Sequence, residues 1–231
     1  MTTVLITGAN RGLGLEFCRQ YADAGWNVIA CCRNPAQADE LSALSQRYTG
    51  IEIETLDVAH LDKIEALSKK LTATPIDILI NNAGVYGDNR SNSFGQLDYQ
   101  SWQHSLLINT LAPMKMAEAF LPQIQNGSKK LIVNISSLMG SLADNGSGGS
   151  ILYRSSKAAL NAAMKSLSIE LSNQNIGVLI LHPGWVQTDM GGANALIDSK
   201  TSVSGMCAVI NGFTLAQSGA FIKYDGKPMP W

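Results

Sequence analysis

The 231-residue sequence has few charged residues, and neither sign is in excess. Seventeen Lys and Arg stand against eighteen Asp and Glu, and charged residues make up only 15% of the chain. A chain without a basic surplus gives no electrostatic indication of nucleic acid or of an anionic membrane. No apolar run reaches the roughly 18 residues that a membrane span needs. We therefore expect neither nucleic acid nor a membrane as a partner.

The sequence also lacks a cysteine pattern and an export signal. Its four cysteines are Cys18, Cys31, Cys32 and Cys207, and none of them forms a C-x-x-C pair. Neither a zinc site nor a disulfide framework is therefore predicted, and we expect no bound metal. The first apolar run, Val4–Ile6, leads directly into a glycine motif and leaves no room for a cleavable signal. These absences together predict a cytoplasmic protein.

Short apolar runs alternate along the chain with longer stretches of helical period. The runs are rich in Val, Ile and Leu and hardly alternate with polar residues, which is typical of parallel strands covered on both faces. The predicted strands are Val4–Ile6, Asn27–Cys31, Ile51–Thr55, Ile76–Ile80, Leu131–Ile135, Ile176–Leu181 and Ala220–Ile222. The predicted helices are Gly14–Ala24, Ala36–Arg47, Leu61–Leu71, Tyr99–Leu121 and Tyr153–Ser172, and two Gly/Ser-rich loops are predicted at Asp144–Ser150 and Gly191–Ser204. The alternation predicts an α/β fold in one domain over residues 1–231, a Rossmann-type doubly wound parallel sheet of about seven strands with helices on both faces.

A glycine motif, Thr7–Gly14, lies between the first strand and the first helix. Its spacing is G-x-x-x-G-x-G, and glycines allow a backbone turn to approach a pyrophosphate at a helix N-terminus. A tight turn without a ligand would use the same residues. The position at the first strand–helix junction favours phosphate binding.

The end of the second predicted strand carries no acidic residue. Enzymes that use NAD usually place an acid there to bind the ribose hydroxyls. Arg33 stands in that neighbourhood instead, and Arg11 lies within the glycine motif. A guanidinium matches the geometry of a 2′-phosphate, so we expect NADP (NADPH) in preference to NAD, the alternative being two ordinary surface arginines.

Tyr153 and Lys157 are spaced i, i+4 at the start of a predicted helix, so their side chains share one face. A free phenol has a pKa near 10, and a neighbouring ammonium favours the phenolate. Tyr153 could then exchange a proton with a carbonyl oxygen. The pair alone is common by chance. Ser136 and Ser137 close the fifth strand, where a hydroxyl can hydrogen-bond a substrate.

Jointly these pieces resemble the classical short-chain dehydrogenase/reductase family, whose motifs occur in the same order over nearly the whole chain. The matching pieces are Thr7–Gly14, Asp57-Val58, Asn81–Gly84, Asn109, Ser137, Tyr153 with Lys157, and Pro183–Thr188. Further similarity points to the C-factor and Sniffer-type carbonyl reductase branch. It is carried by Leu181–Val186, Thr188–Gly192, Arg154–Lys157 and Tyr224–Trp231.

The resemblance implies a role for each catalytic position. Tyr153 would be the acid–base group, and Lys157 would bind the nicotinamide ribose and lower the tyrosine pKa. Ser137 would orient and polarise the substrate carbonyl, with Ser136 as its rival. Asn109 would hold a water in a proton relay through Lys157.

The resemblance also implies a cofactor site, mainly in residues 1–135, with the catalytic and substrate-binding groups mainly in 136–231. The implied cofactor-binding residues are Gly8, Asn10, Arg11, Gly12, Leu13, Arg33, Asp57, Val58, Asn81, Ala83, Gly84, Tyr153, Lys157, Pro183, Gly184, Val186 and Thr188. The implied activity is NADPH-dependent reduction of an aldehyde or ketone, with a small-molecule carbonyl as substrate. The resemblance implies a homodimer through the helices of Tyr99–Leu121 and Tyr153–Ser172, the alternative being a monomer, as some carbonyl reductases are.

Two other functions compete with the reductase. The first is an NAD(P)-binding signalling or regulatory protein with little essential turnover, as the C-factor resemblance suggests. The complete set of catalytic residues argues against it. The second is epimerisation of a sugar nucleotide, but only about fifty residues follow Pro183, too few for a separate substrate domain.

Overall fold

The apolar runs form a parallel sheet. Across residues 2–89 and 94–231, which the computed structural model describes, seven strands lie in the order β3-β2-β1-β4-β5-β6-β7. The strands are β1 (Thr3–Thr7), β2 (Asn27–Cys32), β3 (Ile51–Thr55), β4 (Ile78–Asn81), β5 (Leu131–Ile135), β6 (Gly177–His182) and β7 (Phe221–Lys223). The strand order reverses between β1 and β4, and such a reversal opens a crevice at the carboxyl edge of a sheet. The predicted doubly wound α/β architecture is confirmed.

Helices cover both faces of the sheet. They are α1 (Gly12–Asp23), α2 (Asp39–Arg47), α3 (Leu61–Lys70), α4 (Tyr99–Leu106), α5 (Ala112–Ala119), α6 (Leu121–Asn126), α7 (Ile151–Glu170) and α8 (Ser199–Asn211). None of the helices in the described ranges is both long and apolar enough to cross a membrane.

Alternate side chains of each strand enter two separate apolar layers, because successive residues of a strand point to opposite faces. In β1, Leu5 packs in the layer that α3, α5 and α7 complete, whereas Val4 and Ile6 pack in the layer of α1, α2 and α8. Burial on both faces explains why the strands lack polar alternation. The carboxyl edge is therefore where polar side chains collect.

Helix α8 begins inside a segment that the sequence predicts as a loop. The chain leaves irregular structure at Ser199, where Asp198 accepts a hydrogen bond from the N–H of Thr201 at 2.7 Å and caps the helix. The buried positions of α8 have helical spacing and are Ser202, Val203, Met206 and Ile210. The loop prediction for Gly191–Ser204 is therefore wrong from Ser199 onwards, because small polar residues dilute the apolar stripe.

The long helix predicted between the fourth and fifth strands is interrupted. Between α4 and α5 the chain makes one π-helical turn, Leu107–Leu111, in which the N–H of Ala112 bonds to the carbonyl of Leu107, five residues back. Pro113 follows and has no N–H to give to the carbonyl of Asn109, its partner in a regular α-helix. The π turn therefore coincides with Asn109, and such turns are frequent at functional sites.

Candidate active site

A cavity of about 820 Å³ opens at the carboxyl edge of the sheet, among the residues that follow β1 to β6. Its size is within the range of about 300–1,000 Å³ that is usual for ligand and cofactor sites. Most of the predicted site residues line it, namely Gly8, Asn10, Arg11, Gly12, Leu13, Arg33, Asp57, Val58, Ala83, Gly84, Tyr153, Lys157, Pro183 and Thr188. The predicted residues outside its lining are Asn81, Asn109, Ser137, Gly184 and Val186.

The glycine motif forms the turn from β1 into α1. Gly8 and Gly12 have φ angles of +66° and +55°, in the left-handed region that favours glycine. A Cβ on Gly14 would lie 2.1 Å from the carbonyl oxygen of Gly8, so no side chain fits there. Arg11 precedes α1 without capping it, and the first turn contains no acid. The N-terminus of α1 is therefore available to an anionic phosphate.

Two motif residues without a predicted role, Thr7 and Asn82, fasten the glycine turn to the end of β4. The hydroxyl of Thr7 accepts hydrogen bonds from the N–H groups of Asn82 (3.0 Å) and Ala83 (3.1 Å). The amide of Asn82 donates to the carbonyls of Thr7 (2.9 Å) and Gly8 (3.2 Å). This closed set of bonds fixes the two loops on either side of the crevice.

The side chain of Asn81 points away from the cavity. It is buried and donates to the carbonyl of Pro113 (3.3 Å) and to Oδ1 of Asn134 on β5 (2.9 Å). The side chain of Asn81 is therefore not in the cavity lining, its neighbour Asn82 is, and cofactor binding by Asn81 stays a prediction for its main chain. The alternation of side chains along a strand separates the two.

The end of β2 brings a cation to one end of the cavity. Arg33 is exposed there, and Asp57 and Val58 after β3 form the adjoining wall. The first turn of α2 adds the acids Asp39 and Glu40 to the same region. The end of β2 itself carries no carboxylate, as the sequence indicates.

The segment after β6 lies against the glycine motif. Arg11 forms an ion pair with Asp189 at 2.7 Å, and their side chains are 65% and 74% exposed. A Cβ on Gly12 would lie 3.3 Å from Cγ2 of Thr188. Solvent screens an exposed pair, so Arg11 can exchange Asp189 for another anion.

Gly184 and Val186 support this segment from behind. Val186 is buried and pairs with Ile197. Gly184 has φ of +87°, and a Cβ there would lie 2.9 Å from side-chain carbons of Ile197 and Tyr224. Both residues shape the segment that carries Thr188, rather than lining the cavity themselves.

Three predicted catalytic side chains meet deeper in the site. Tyr153 and Lys157 lie in the first two turns of α7 and are both buried. Nζ of Lys157 is 5.8 Å from the centroid of the Tyr153 ring and donates to the carbonyl of Ile135 at 2.8 Å. The hydroxyl of Tyr153 is hydrogen-bonded to that of Ser137, which also accepts the N–H of Met139 at 3.1 Å.

The neighbouring serine, Ser136, also lines the cavity, but its hydroxyl has a different partner. The hydroxyl of Ser136 is buried and donates to Oδ1 of Asn161 at 2.6 Å. Of the two serines that the sequence leaves as rivals, Ser137 is the one whose hydroxyl meets Tyr153. Their adjacent positions at a strand end direct them to opposite sides.

Burial governs the protonation of the pair on α7. It raises the pKa of Tyr153 to about 12, with the Ser137 hydrogen bond opposing the rise and Tyr86 adding to it. Burial also lowers the pKa of Lys157 to about 8. The expected lowering of the tyrosine pKa by Lys157 is therefore not found, because burial disfavours the charged form of both groups. At pH 7 the phenol keeps its proton.

The side chain of Asn109 is fully hydrogen-bonded to neighbouring segments of the protein. Its side-chain oxygen accepts the N–H of Val85, and its amide donates to the carbonyl of Val85 and to the hydroxyl of Ser156, each at 2.9 Å. Both amide hydrogens are thereby used within the protein. The side chain therefore ties the loop after β4 to α7. That Asn109 holds a water in a proton relay stays a prediction, and it would have to use the main-chain carbonyl of Asn109.

His182, at the end of β6, supports the turn that carries Ser137. Its Nδ1 accepts the N–H of Leu138 at 3.2 Å, so the ring is neutral with its proton on Nε2. Burial, with a smaller contribution from Lys223, lowers its pKa to about 4. Nothing in the neighbouring sequence indicates this bond next to Ser137.

The neutral state of His182 makes stability depend on pH. Between pH 4 and 6.5 the unfolded chain binds a proton that the folded chain excludes, so stability is lost as pH falls through this window. The expected loss is up to about 3 kcal/mol. His182→Asn retains an acceptor but cannot titrate, and urea unfolding at pH 7 and pH 4.5 should show a smaller loss than in the wild type. Equal losses in both proteins would contradict this assignment.

Comparison with known proteins shows the family of the chain. The family model described as short chain dehydrogenase matches residues 2–196. The chain is 42% identical over 168 residues to C-signal of Myxococcus xanthus, covering 73% of this chain and all of that protein. The structure is similar to carbonyl reductase Sniffer of D. melanogaster, with a TM-score of 0.93, 36% identity and full coverage of both chains. It is equally similar to an NADPH-bound carbonyl reductase from chicken fatty liver, with a TM-score of 0.93, 34% identity, and 100% and 99% coverage. The chain therefore belongs to the short-chain dehydrogenase family of oxidoreductases, near the branch of C-signal and the carbonyl reductases.

Proposed function

We propose that the protein reduces the carbonyl group of an aldehyde or ketone with NADPH, with Tyr153 as the acid. The observation that carries the proposal is one cavity with two ends. The glycine motif and Arg33 lie at one end, and Tyr153, hydrogen-bonded to Ser137, lies at the other. The similarity to carbonyl reductases, one of them bound to NADPH, supports it.

The cavity walls fit a nicotinamide dinucleotide. At Gly14 a Cβ would collide with backbone, so the turn can approach a pyrophosphate closely. Asp57 and Val58 would flank the adenine, and Lys157 would hold the nicotinamide ribose. Pro183 and Thr188 would support the nicotinamide ring. Bound in this way, the reduced cofactor supplies a hydride to the carbonyl carbon.

The chain's own groups then manage the carbonyl oxygen. The hydroxyls of Tyr153 and Ser137 share a hydrogen bond, and a carbonyl oxygen beside them can accept from both. As the carbonyl carbon is reduced, its oxygen becomes a strong base and takes the proton of Tyr153. The raised pKa of Tyr153, about 12, keeps that proton in place until the oxygen develops charge.

The preference for NADPH over NADH is assigned to Arg33. It lies at the cavity wall directly after β2, whose own end carries no carboxylate, while Asp39 and Glu40 line the same region from the first turn of α2. Arg11 adds a second exposed guanidinium, which is paired with the exposed Asp189. The 2′-phosphate of NADPH, a dianion, could form ion pairs with both arginines.

The test compares NADPH with NADH as reductant for a panel of aldehydes, ketones, diketones and quinones. Wild-type protein should oxidise NADPH more efficiently than NADH. Arg33→Ala should raise KM for NADPH by about tenfold and leave KM for NADH within a factor of two, since only NADPH carries the extra phosphate. Arg47→Ala, which removes an arginine at the end of α2 outside the cavity lining, is the control. Equal effects of Arg33→Ala on both cofactors would contradict the assignment.

The remaining parts of the proposal concern organisation. Residues up to 135 would bind mainly the cofactor, and those from 136 the substrate and the catalytic groups. A second copy of the chain would pack on α4 and α7, near the exposed apolar side chains Tyr99, Leu111 and Ile169.

The alternative of a signalling protein is supported by the similarity to C-signal. The meeting of Tyr153, Ser137 and Lys157 favours turnover.

A further inference from the structure

The catalytic helix is capped by a residue from a distant loop. Asp88 lies in the segment after β4, and its carboxylate accepts the N–H groups of Leu152 (3.1 Å) and Tyr153 (2.7 Å). The residue in the usual capping position, Ser150, has φ of +46° and makes no side-chain cap. The first turn of α7 therefore takes its acceptor from a chain segment more than sixty residues away.

The same segment contacts α7 at further points. The ring of Tyr86 lies 4.9 Å from that of Tyr153, and its hydroxyl is hydrogen-bonded to Ser150 at 2.7 Å. The backbone of Val85 is bound by Asn109, whose amide also reaches α7. Through these contacts the segment from Val85 to Asp88 fixes the backbone of α7 at Tyr153.

We propose that Asp88 is a positioning residue for Tyr153. Its carboxylate holds the Tyr153 amide and thereby sets the place of the phenol relative to Ser137 and to the carbonyl oxygen. The inference rests on the proposed function, since it assigns Asp88 a part in that same proton transfer. A displacement of about 1 Å at a reacting group can cost about a hundredfold in rate, so a fixed helix start has a catalytic effect.

The fold limits the effect of Asp88 to this position. Helix α7 has 20 residues and is anchored in the core by buried side chains such as Leu160 and Met164. Losing the cap frays the first turn, which contains Tyr153, without releasing the helix. A defect in kcat is therefore expected, with cofactor binding and folding retained.

The test compares Asp88→Ala, Asp88→Asn and Asp98→Ala. Asp98 is the matched control, because it caps α4 through the N–H groups of Gln100 and Ser101 but does not hold Tyr153. Asp88→Ala should lower kcat about tenfold or more, with KM for NADPH within a factor of two of wild type. Asp88→Asn, which keeps one acceptor, should recover part of the loss. Asp98→Ala should keep wild-type kcat.

Each outcome decides the inference. A fall in kcat confined to Asp88→Ala, at unchanged melting temperature and NADPH affinity, supports it. Unchanged kcat, an equal fall in Asp98→Ala, or joint loss of folding and cofactor binding overturns it in favour of a purely structural cap. If the wild-type protein reduces no carbonyl, the proposed function and this inference are overturned together. The wild-type assay alone distinguishes this result from the others.

Discussion

Replacing Tyr153 with phenylalanine is expected to lower kcat/KM for carbonyl reduction by about 10²- to 10⁴-fold, the usual contribution of a positioned acid. The substitution removes one hydroxyl and keeps the ring that packs 4.9 Å from Tyr86. Ser137 retains its bond from the N–H of Met139. Folding and NADPH affinity should therefore stay near wild-type values, while the developing alkoxide loses Tyr153 as its acid and keeps only the hydrogen bond from Ser137.

Initial rates of NADPH oxidation, with NADPH binding followed by fluorescence, separate the two effects. Tyr99→Phe removes an equivalent hydroxyl from an exposed position on α4 and should have wild-type rates. Retention of more than a tenth of wild-type kcat/KM in Tyr153→Phe would remove Tyr153 from the acid's role. A cellular function that survives in this variant would favour the signalling alternative over turnover.

The parts of the fold predicted from sequence are those with a local cause. Strands such as Leu131–Ile135 are continuous apolar runs, because both faces of the sheet are covered. Several site motifs follow directly on strand ends, and the ends of parallel strands meet at one edge. This geometry brings the glycine motif and Arg33 into one cavity, to which α7 adds Tyr153.

The parts that sequence did not predict depend on contacts between distant segments. Nothing near Asp88 indicates that it caps a helix beginning at Ile151. The choice between Ser136 and Ser137 depends on which of two adjacent side chains faces Asn161 in the core. Helix α8 was missed because only its packing against α1 shows which of its small residues face inwards.

The balance of charge in the site is also a property of the fold. The sequence places an ammonium beside a phenol and suggests that Lys157 lowers the pKa of Tyr153. In the folded protein both groups are buried, and the cost of removing a charge from water outweighs their mutual effect. The result is a protonated phenol, which suits reduction of a carbonyl.

Lys157→Met is expected to lower kcat/KM by about 10²-fold or more, the loss typical of a fixed charge or donor in an active site. The ammonium of Lys157 faces the ring of Tyr153 and is fixed by the carbonyl of Ile135. Under the proposed function it would hold the cofactor ribose. Methionine has similar length and no charge. Weaker NADPH binding and slower turnover should therefore appear together, unlike the result expected for Tyr153→Phe.

The pH profile makes this prediction specific to the ammonium. Burial lowers the pKa of Lys157 to about 8, so the free enzyme loses this charge as pH rises through that value. The wild-type kcat/KM for NADPH, which reports on the free enzyme, should accordingly fall above about pH 8. In Lys157→Met this fall in kcat/KM above about pH 8, the alkaline limb of the profile, should be absent. Because removing an ammonium from water is unfavourable, even with its hydrogen bond to Ile135, the melting temperature of Lys157→Met should not fall below that of the wild type. If Lys157→Met unfolds, Lys157 is needed for the fold. If the variant still loses activity above pH 8, a group other than Lys157 titrates there.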